Sequence, residues 1–285
     1  MTLSPMPKAD SELDALIHLL DDPSPEVQRA VHSRLGELGR DVLPRLHLAQ
    51  KTAAEPLRTR IAEASHNLHV SLVVQAWSSL MEQPAPDLER GAFLLALYRY
   101  PDLDIPAYRA QLDDLAEQVR PRVRELQGFE RSETLTRFMF DEWGFLGDHQ
   151  EYYDPDNSYI NRVIDRRRGI PIGLSVVYLL LAKRLGLPIF GVNMPAHFVV
   201  KYEDEENEIF LDLFNGGVPF TKEAGVRSLR KVGIPPHAQY FDAARPTDIL
   251  LRMVRNLVHI AREARQQQTL TDLLQLLDPW DQNEA

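Results

Sequence analysis

The 285-residue sequence contains no cysteine. This absence excludes disulfide bonds, thiolate metal ligands and every form of covalent catalysis that begins with attack by a thiolate. It does not by itself identify the redox compartment. Nucleophilic chemistry, if the protein performs any, must use a group other than a thiol.

The sequence also lacks a surplus of positive charge. Its 42 acidic and 32 basic residues give a formal net charge of -10 and an isoelectric point near 5.4. Binding to a nucleic-acid backbone requires a basic surface that releases counterions. We therefore expect no nucleic-acid partner.

Long apolar runs are absent as well. No segment approaches the roughly 20 consecutive apolar residues that a membrane-spanning helix needs, and residues 1–12 lack the basic and apolar regions of a signal peptide. With 44% hydrophobic and 26% charged residues, the composition is typical of a globular protein. We predict a cytoplasmic protein without a membrane partner, and the sequence predicts no oligomeric state.

The first third of the sequence has the periodicity of paired helices. A capping and proline signal at residues 21–25 separates one apolar stripe from a second stripe, which begins at Pro25 and ends at Gly39. A longer helix is predicted over residues 56–81. Residues 16–46 resemble a HEAT-type repeat, and one such unit cannot bury its own apolar face, so we expect it to stack on the helices that follow.

The centre of the sequence changes from helical to mixed periodicity. Pro171 can open a helix, because its missing N–H needs no partner in the first turn, and an apolar face continues to residue 185. Three β-favouring runs follow over residues 189–194, 197–202 and 208–214. A central helix packed on a small antiparallel sheet, within a helix-rich chain, predicts an α+β fold.

The remainder of the sequence is predicted to be irregular at first and then helical. Gly233-Ile234-Pro235-Pro236 favours irregular structure over residues 221–241. An apolar face at helical spacing then runs from Ile249 to Ile260, and a shorter helix is predicted over residues 271–277. Two short helices bury little area alone, so we expect them to dock on the preceding domain.

Four motifs between residues 137 and 217 resemble the transglutaminase-like superfamily. They are Asn157-Ser158-Tyr159, Gly169-Ile170-Pro171-Ile172-Gly173-Leu174-Ser175, Pro195-Ala196-His197-Phe198 and Asp212-Leu213-Phe214-Asn215-Gly216-Gly217. Within the superfamily, the sequence is similar to the bacterial Sir-B-type branch, in which such a domain is joined to helical repeats. Ala196 stands where that branch usually has glycine, and Leu213 where it often has proline.

The resemblance divides the chain into three parts. Residues 1–85 would form a HEAT-like helical segment, residues 88–245 a transglutaminase-like domain with its helical lead-in, and residues 246–285 a truncated pair of tetratricopeptide-like helices. The fold that it implies has a papain-like core, in which the central helix packs on the antiparallel sheet.

The same resemblance implies roles for residues around a cleft. His197 takes the place of the catalytic base and Asp212 that of the acid that orients it, while the nucleophile's place falls at or beside Pro171, whose ring offers no nucleophile. Ser175 is the nearest hydroxyl, although a serine inside a helix usually bonds to a backbone carbonyl. The residues that would line the cleft and bind are Pro171, Asn157, Asn215, Gly216 and Gly217.

His197 and Asp212 are expected to lie within hydrogen-bond distance of each other. Adjacent antiparallel strands place facing side chains roughly 5 Å apart, and the two residues fall on neighbouring predicted strands. Alternatively, the two residues have a structural role only and fix the register of the hairpin.

Two classes of function are consistent with this sequence. The first is a non-catalytic protein that binds a peptide or protein partner and uses no cofactor and no metal. The second is a hydrolase or acyltransferase in which Ser175, or water activated by His197, replaces the thiol. The missing cysteine favours the first class.

Overall fold

The computed structural model describes residues 8–278 and residue 280. The chain forms two compact units, Met1–Ser78 and Ser79–Ala285. The first unit is helical, and the second combines helices with a four-stranded sheet. No helix in the described part of the chain is long and apolar enough to cross a membrane.

The first unit is built from consecutive helices that share one apolar core. The helices are α1 (Lys8–Leu19), α2 (Pro25–Leu38), α3 (Leu43–Thr52) and α4 (Leu57–Met81), the last of which runs into the second unit. As predicted, α2 begins at Pro25 and stops before Gly39, whose φ of 73° is a left-handed value that glycine adopts without strain. The core contains the buried residues Leu35, Leu46 and Ile61.

The second unit begins with a helical lead-in. It comprises α5 (Leu88–Arg99), α6 (Ile105–Arg124), α7 (Glu130–Arg137) and a π-helical turn over Phe138–Glu142. Asp87 and Asp104 cap the first two helices, because their carboxylates accept hydrogen bonds from Arg90 N at 2.8 Å and Ala107 N at 3.1 Å. Phe138 and Trp143 extend the core beyond α7, since both side chains are buried.

A helix that is buried over most of its length lies at the centre of this unit. The elements around it are β1 (Leu146–Gly147), α8 (Ile160–Arg166), β2 (Arg168–Gly169) and α9 (Pro171–Leu185), and β1 pairs with β2 in parallel. Helix α9 begins at Pro171 as predicted and ends at Gly186, which has a φ of 64°. It is apolar on nearly every side, which is typical of a helix enclosed by other elements, and it packs against α6, α8 and the sheet.

The sheet is antiparallel, as the sequence predicted, but its strands are shorter. They are β3 (Ile189–Val192), β4 (Val199–Glu203), β5 (Glu208–Asp212) and β6 (Val218–Phe220), which lie in this order. The expected β-run over residues 197–202 begins two residues late, so His197 precedes the strand that it was predicted to open. Strand β6 was not predicted.

The register of the sheet assigns its side chains to two faces. Residues directly opposite each other share a face, and the register pairs Phe210 with Phe220 and Asp212 with Val218, while Leu211 pairs with Pro219. Asp212, at the polar end of β5, therefore lies on the same face of the sheet as Phe210 and Phe220.

One helix contradicts the sequence analysis. Residues 221–241 were predicted to be irregular, yet α10 (Lys222–Lys231) occupies their first half. Thr221 caps this helix by accepting a hydrogen bond from Ala224 N at 3.4 Å, and the buried Leu229 joins the core beside Phe210. The break at Gly233-Ile234-Pro235-Pro236 is real, but it follows the helix and does not interrupt it.

The last two helices belong to the second unit and pack on its earlier helices, as expected. Helix α11 (Pro246–Glu263) packs against α5 and α9, and α12 (Gln267–Leu277) packs against α11. Gly91 on α5 permits the close approach, because a β-carbon at this position would lie 2.5 Å from a methyl group of Leu250. The hydroxyl of Tyr98 donates a hydrogen bond to Asp272 at 3.2 Å.

Candidate functional site

A tight turn before β4 positions His197. The backbone N–H of His197 donates a hydrogen bond to Met194 O at 3.2 Å, which closes a four-residue turn with Pro195 and Ala196 at its centre. Ala196 has a φ of 59°, a left-handed value that costs an alanine about 1 kcal/mol or more. This geometry gives a physical reason for glycine at the corresponding place in similar sequences.

A second turn, after β5, positions Asp212. Its two carboxylate oxygens accept hydrogen bonds from Asn215 N at 3.2 Å and from Asn215 Nδ2 at 2.8 Å, and its carbonyl oxygen accepts one from Gly217 N at 2.8 Å. Asn215 therefore holds the carboxylate in place. The sequence motif puts Asn215 close to Asp212 along the chain but does not reveal these hydrogen bonds.

The two turns bring His197 and Asp212 together. His197 Nε2 lies 3.1 Å from Asp212 Oδ1, and both side chains are partly buried. The predicted proximity is confirmed. The contact has the distance of an ion pair but not the alignment of a good hydrogen bond, and Nε2 has no other partner within the described residues.

The carboxyl group of Asp212 has a lowered pKa. Burial acts to raise this pKa, but the contact with His197 and the hydrogen bonds from Asn215 favour the ionised form and together outweigh burial. The carboxylate is therefore ionised at neutral pH, where it can orient the imidazole ring and stabilise a positive charge on it.

Asp212→Asn should remove a pH-dependent part of the stability. A carboxylate whose pKa is lowered by folding stabilises the fold above its unfolded pKa, about 3.9, and this contribution is lost as the pH falls through the lowered folded value. The variant should be less stable than the wild type by about 1 to 2 kcal/mol at pH 7, and this difference should narrow at pH 3. Urea unfolding at both pH values measures it; an equal difference at both would exclude a contribution from the charge.

An apolar pocket of about 550 Å³ opens beside the His197–Asp212 pair. Its walls are the His197 turn, the β5–β6 end of the sheet and α10. The rim is apolar, since Val218 is 55% exposed and Val232 67% exposed. The lining residues are Met194, Pro195, Ala196, His197, Asp212, Asn215, Val218, Phe220, Ala224, Gly225, Ser228, Leu229 and Val232. We call this site the His197 pocket.

The Gly216-Gly217 turn adjoins a second cavity on the other face of the sheet. Both glycines have left-handed φ values, 79° and 74°. A β-carbon on Gly217 would lie 2.3 Å from Thr136 Cγ2, so this turn packs directly on α7. The second cavity, of about 630 Å³, is lined by both glycines together with Leu211, Pro219 and residues of α7.

Pro171 and Asn157 do not line the His197 pocket. Pro171 is the first residue of α9 and is buried. The Asn157 side chain is buried and donates to Glu151 O at 2.7 Å, and its backbone oxygen accepts from Ile170 N at 3.2 Å. That oxygen would lie 2.6 Å from a β-carbon at Gly173. In the structure, Asn157 therefore fixes the start of α9.

Ser175 is not brought to His197. Its side chain is fully buried in α9, and Ser175 Oγ has no hydrogen-bond partner within the described residues. The expected bond to a backbone carbonyl is not made either. A serine nucleophile needs a base in contact to give up its proton, and His197 does not provide one in this arrangement.

Comparisons with known proteins agree with the motif resemblance. The sequence model described as the transglutaminase-like superfamily matches residues 106–255. A UPF0162 protein of Xylella fastidiosa (strain 9a5c) is 36% identical over 65% of this chain and 69% of its own length. A UPF0162 protein of Vibrio cholerae is 32% identical over 47% of this chain and 50% of its own length.

The similarity extends to a eukaryotic protein. F-box only protein 21 of Homo sapiens is 27% identical over 60% of this chain, and the match covers 32% of that protein. No solved structure matches the chain.

Proposed function

Because this chain belongs to the transglutaminase-like superfamily and has no cysteine, we propose that it is a non-catalytic member whose His197 pocket binds a segment of a peptide or protein. The observation that carries the proposal is the apolar pocket beside an intact histidine–aspartate pair. The pocket supplies a binding surface. Ser228 lines it, but the hydroxyl of Ser228 makes no hydrogen bond with His197 Nε2.

Three features argue against acyl transfer. The thiol is absent from the whole sequence. Pro171 occupies the start of α9, where it removes one of the backbone N–H groups that could stabilise an oxyanion. The hydroxyl of Ser175 is buried and has no hydrogen-bond partner among the described residues, so His197 does not activate it in this arrangement.

The composition of the pocket supports binding. Ligand sites are usually concave and apolar, with a few polar groups that fix orientation, and the His197 pocket has this composition. Its volume of about 550 Å³ lies within the range of roughly 300 to 1,000 Å³ that is usual for ligand sites. The exposed Val218 and Val232 at the rim would be covered by a bound apolar side chain, a further gain from the hydrophobic effect.

The finer assignments belong to the same proposal. We place the chain in the Sir-B-type branch, with residues 1–85 as a HEAT-like segment, residues 88–245 as the transglutaminase-like domain and residues 246–285 as truncated tetratricopeptide-like helices. Such helical segments commonly present extended surfaces to protein partners, which fits a scaffold role. The cytoplasmic location and the absence of nucleic-acid and membrane partners stay predictions from the sequence.

A peptide selection with a histidine variant tests the proposal. A phage-displayed library of random peptides is panned on the wild-type protein, and the affinity of a selected peptide is measured by titration calorimetry. His197→Ala should weaken this binding at least about tenfold, since it removes a polar group from the centre of a small site, while the melting temperature changes little.

His47→Ala is the matched control, because His47 is exposed and lies in the other compact unit; it should bind like the wild type. A His197→Ala variant that binds normally but melts at a lower temperature would reduce the pair to a structural role. Failure to select any peptide would refute the proposed function.

A further inference from the structure

Arg252 on α11 is a partly buried cation without an anionic partner. Its Nη1 donates a hydrogen bond to the neutral Asn193 Oδ1 at 2.8 Å, and it makes no ion pair within the described residues. Burial lowers the pKa of Arg252; Tyr152 acts in the opposite direction, and the neighbouring Arg255 lowers this pKa further. Partial burial therefore costs the guanidinium group hydration free energy, and no carboxylate offsets this cost.

Several other partly buried cations in this unit are neutralised by carboxylates. Arg184 contacts Glu89 at 2.8 Å and Asp113 at 2.6 Å, and the buried Lys201 lies between two glutamates at 2.8 and 3.1 Å. Arg166 contacts Asp154 at 2.6 Å. In the described part of the chain, Arg252 lacks such a partner, as does Arg131, which donates to Leu185 O at 3.4 Å. The net charge of the protein is -10, so a shortage of acidic residues does not explain the unpaired Arg252.

A group of aromatic rings lies against α11, the helix that carries Arg252. Phe214 has its ring centroid 4.2 Å from that of His149 and 5.7 Å from that of Tyr152. Burial raises the pKa of Tyr152, and the charge of Arg252 acts in the opposite direction. We name Arg252, His149, Tyr152 and Phe214 the Arg252 cluster.

The rings of the cluster are accessible and continue onto a wider surface. Tyr152 is 37% exposed, and the adjacent Tyr153 is 63% exposed. The Tyr153 ring meets the Tyr152 ring edge-to-face with 5.3 Å between centroids, and its centroid lies 5.9 Å from that of His259 on α11. Contiguous exposed rings, in contrast to single ones, mark interaction sites.

Two residues connect the cluster to the His197 pocket. Asn193, which holds Arg252, directly precedes Met194 at the start of the His197 turn, and Phe214 directly precedes Asn215. A ligand that occupies the pocket therefore lies next to the segments that carry the cluster.

We propose that the Arg252 cluster binds a carboxylate of the same peptide whose apolar side chain enters the His197 pocket, an inference that rests on the proposed function. The planar guanidinium group can accept a carboxylate in a two-pronged arrangement, and the phenol of Tyr152 can donate a further hydrogen bond. Arg252 is itself partly buried, and partial burial strengthens an electrostatic attraction. The ligand of the whole site is thus an acidic peptide with an apolar anchor.

The test uses the peptides that the wild-type protein selects from the random library. The selected sequences should contain aspartate, glutamate or a free C-terminus at a fixed distance from an apolar residue. Arg252→Gln should weaken binding of such a peptide roughly tenfold or more, whereas Arg262→Gln, which removes the same charge from an exposed position on α11, should leave it unchanged. Tyr152→Ala should also weaken binding. Because Tyr152 lies at an exposed loop position, this variant still tests the inference if Arg252→Gln fails to fold.

A double-mutant cycle then identifies the contact. Replacing the peptide carboxylate by an amide should weaken binding to the wild type and have no further effect on Arg252→Gln. Selected peptides without an acidic preference, or equal effects of the amide on both proteins, would overturn this inference and leave the proposed function standing. Displacement of the peptide by inorganic phosphate, together with tighter binding of a phosphorylated peptide, would overturn the carboxylate assignment. If no peptide is selected, both proposals fail.

Discussion

Gly217→Ala should lower the free energy of unfolding by about 3 kcal/mol, from left-handed strain and overpacking combined. The φ of 74° at this position disfavours any residue with a β-carbon. The new methyl group would also lie 2.3 Å from Thr136 Cγ2 and 3.2 Å from the ring of Phe140. Thr136 cannot easily turn away, because its hydroxyl donates to Ser132 O at 3.0 Å and lies 3.0 Å from the hydroxyl of Tyr178.

Gly216→Ala is the matched control for this effect. Gly216 has a similar φ of 79°, but a β-carbon there meets no atom within 4 Å. The control should therefore lose only the strain component, about 1 kcal/mol. Chemical denaturation of both variants separates strain from packing. Equal losses in the two variants would mean that the turn does not pack on α7 as described.

Ser228→Trp should abolish measurable binding of a selected peptide. Ser228 lies on α10 and lines the His197 pocket, so an indole ring at this position would occupy the space that the ligand needs. We expect the affinity to fall at least about a hundredfold, because loss of a central apolar contact commonly costs 2 to 4 kcal/mol.

Ser228→Ala serves as the control for the pocket variant. It keeps the pocket open, and Ser228 is exposed on the helix surface, so both its affinity and its melting temperature should match the wild type. Titration calorimetry of the three proteins with one peptide makes the comparison. Binding of the tryptophan variant at wild-type affinity would place the ligand elsewhere on the molecule.

The sequence was sufficient to predict the centre of the fold. Pro171 and Gly186 mark the two ends of α9 by local chemistry, a fixed φ at one end and a left-handed residue at the other. The alternation of apolar residues likewise predicted the antiparallel strands. These signals are local, so they can be recognised without knowledge of the rest of the structure.

The pair at the site was predictable, whereas the pocket was not. His197 and Asp212 sit in motifs with recognisable turn residues, which placed them on neighbouring strands. The pocket also needs α10 as a wall, and the prolines at positions 235 and 236 concealed this helix by favouring irregular structure over the whole segment. Only a short apolar pattern, Val226 and Leu229, pointed to it.

The Arg252 cluster could not be predicted from the sequence. Arg252 lies 100 residues after Tyr152, and their proximity depends on how α11 docks on the rest of the unit. An arginine on a helix is usually exposed and solvated, so its sequence context gives no sign that it is partly buried. Its missing partner becomes visible only in the folded chain.

Native mass spectrometry of the protein incubated with a selected peptide tests the central claim most directly, because one spectrum reports both binding and turnover. The account predicts a complex of one protein chain with one intact peptide, and no change in the mass of either component after prolonged incubation. The same spectrum for His197→Ala should show the free protein. A shortened peptide, or a protein carrying a covalently attached acyl group, would contradict the account and make the protein an enzyme.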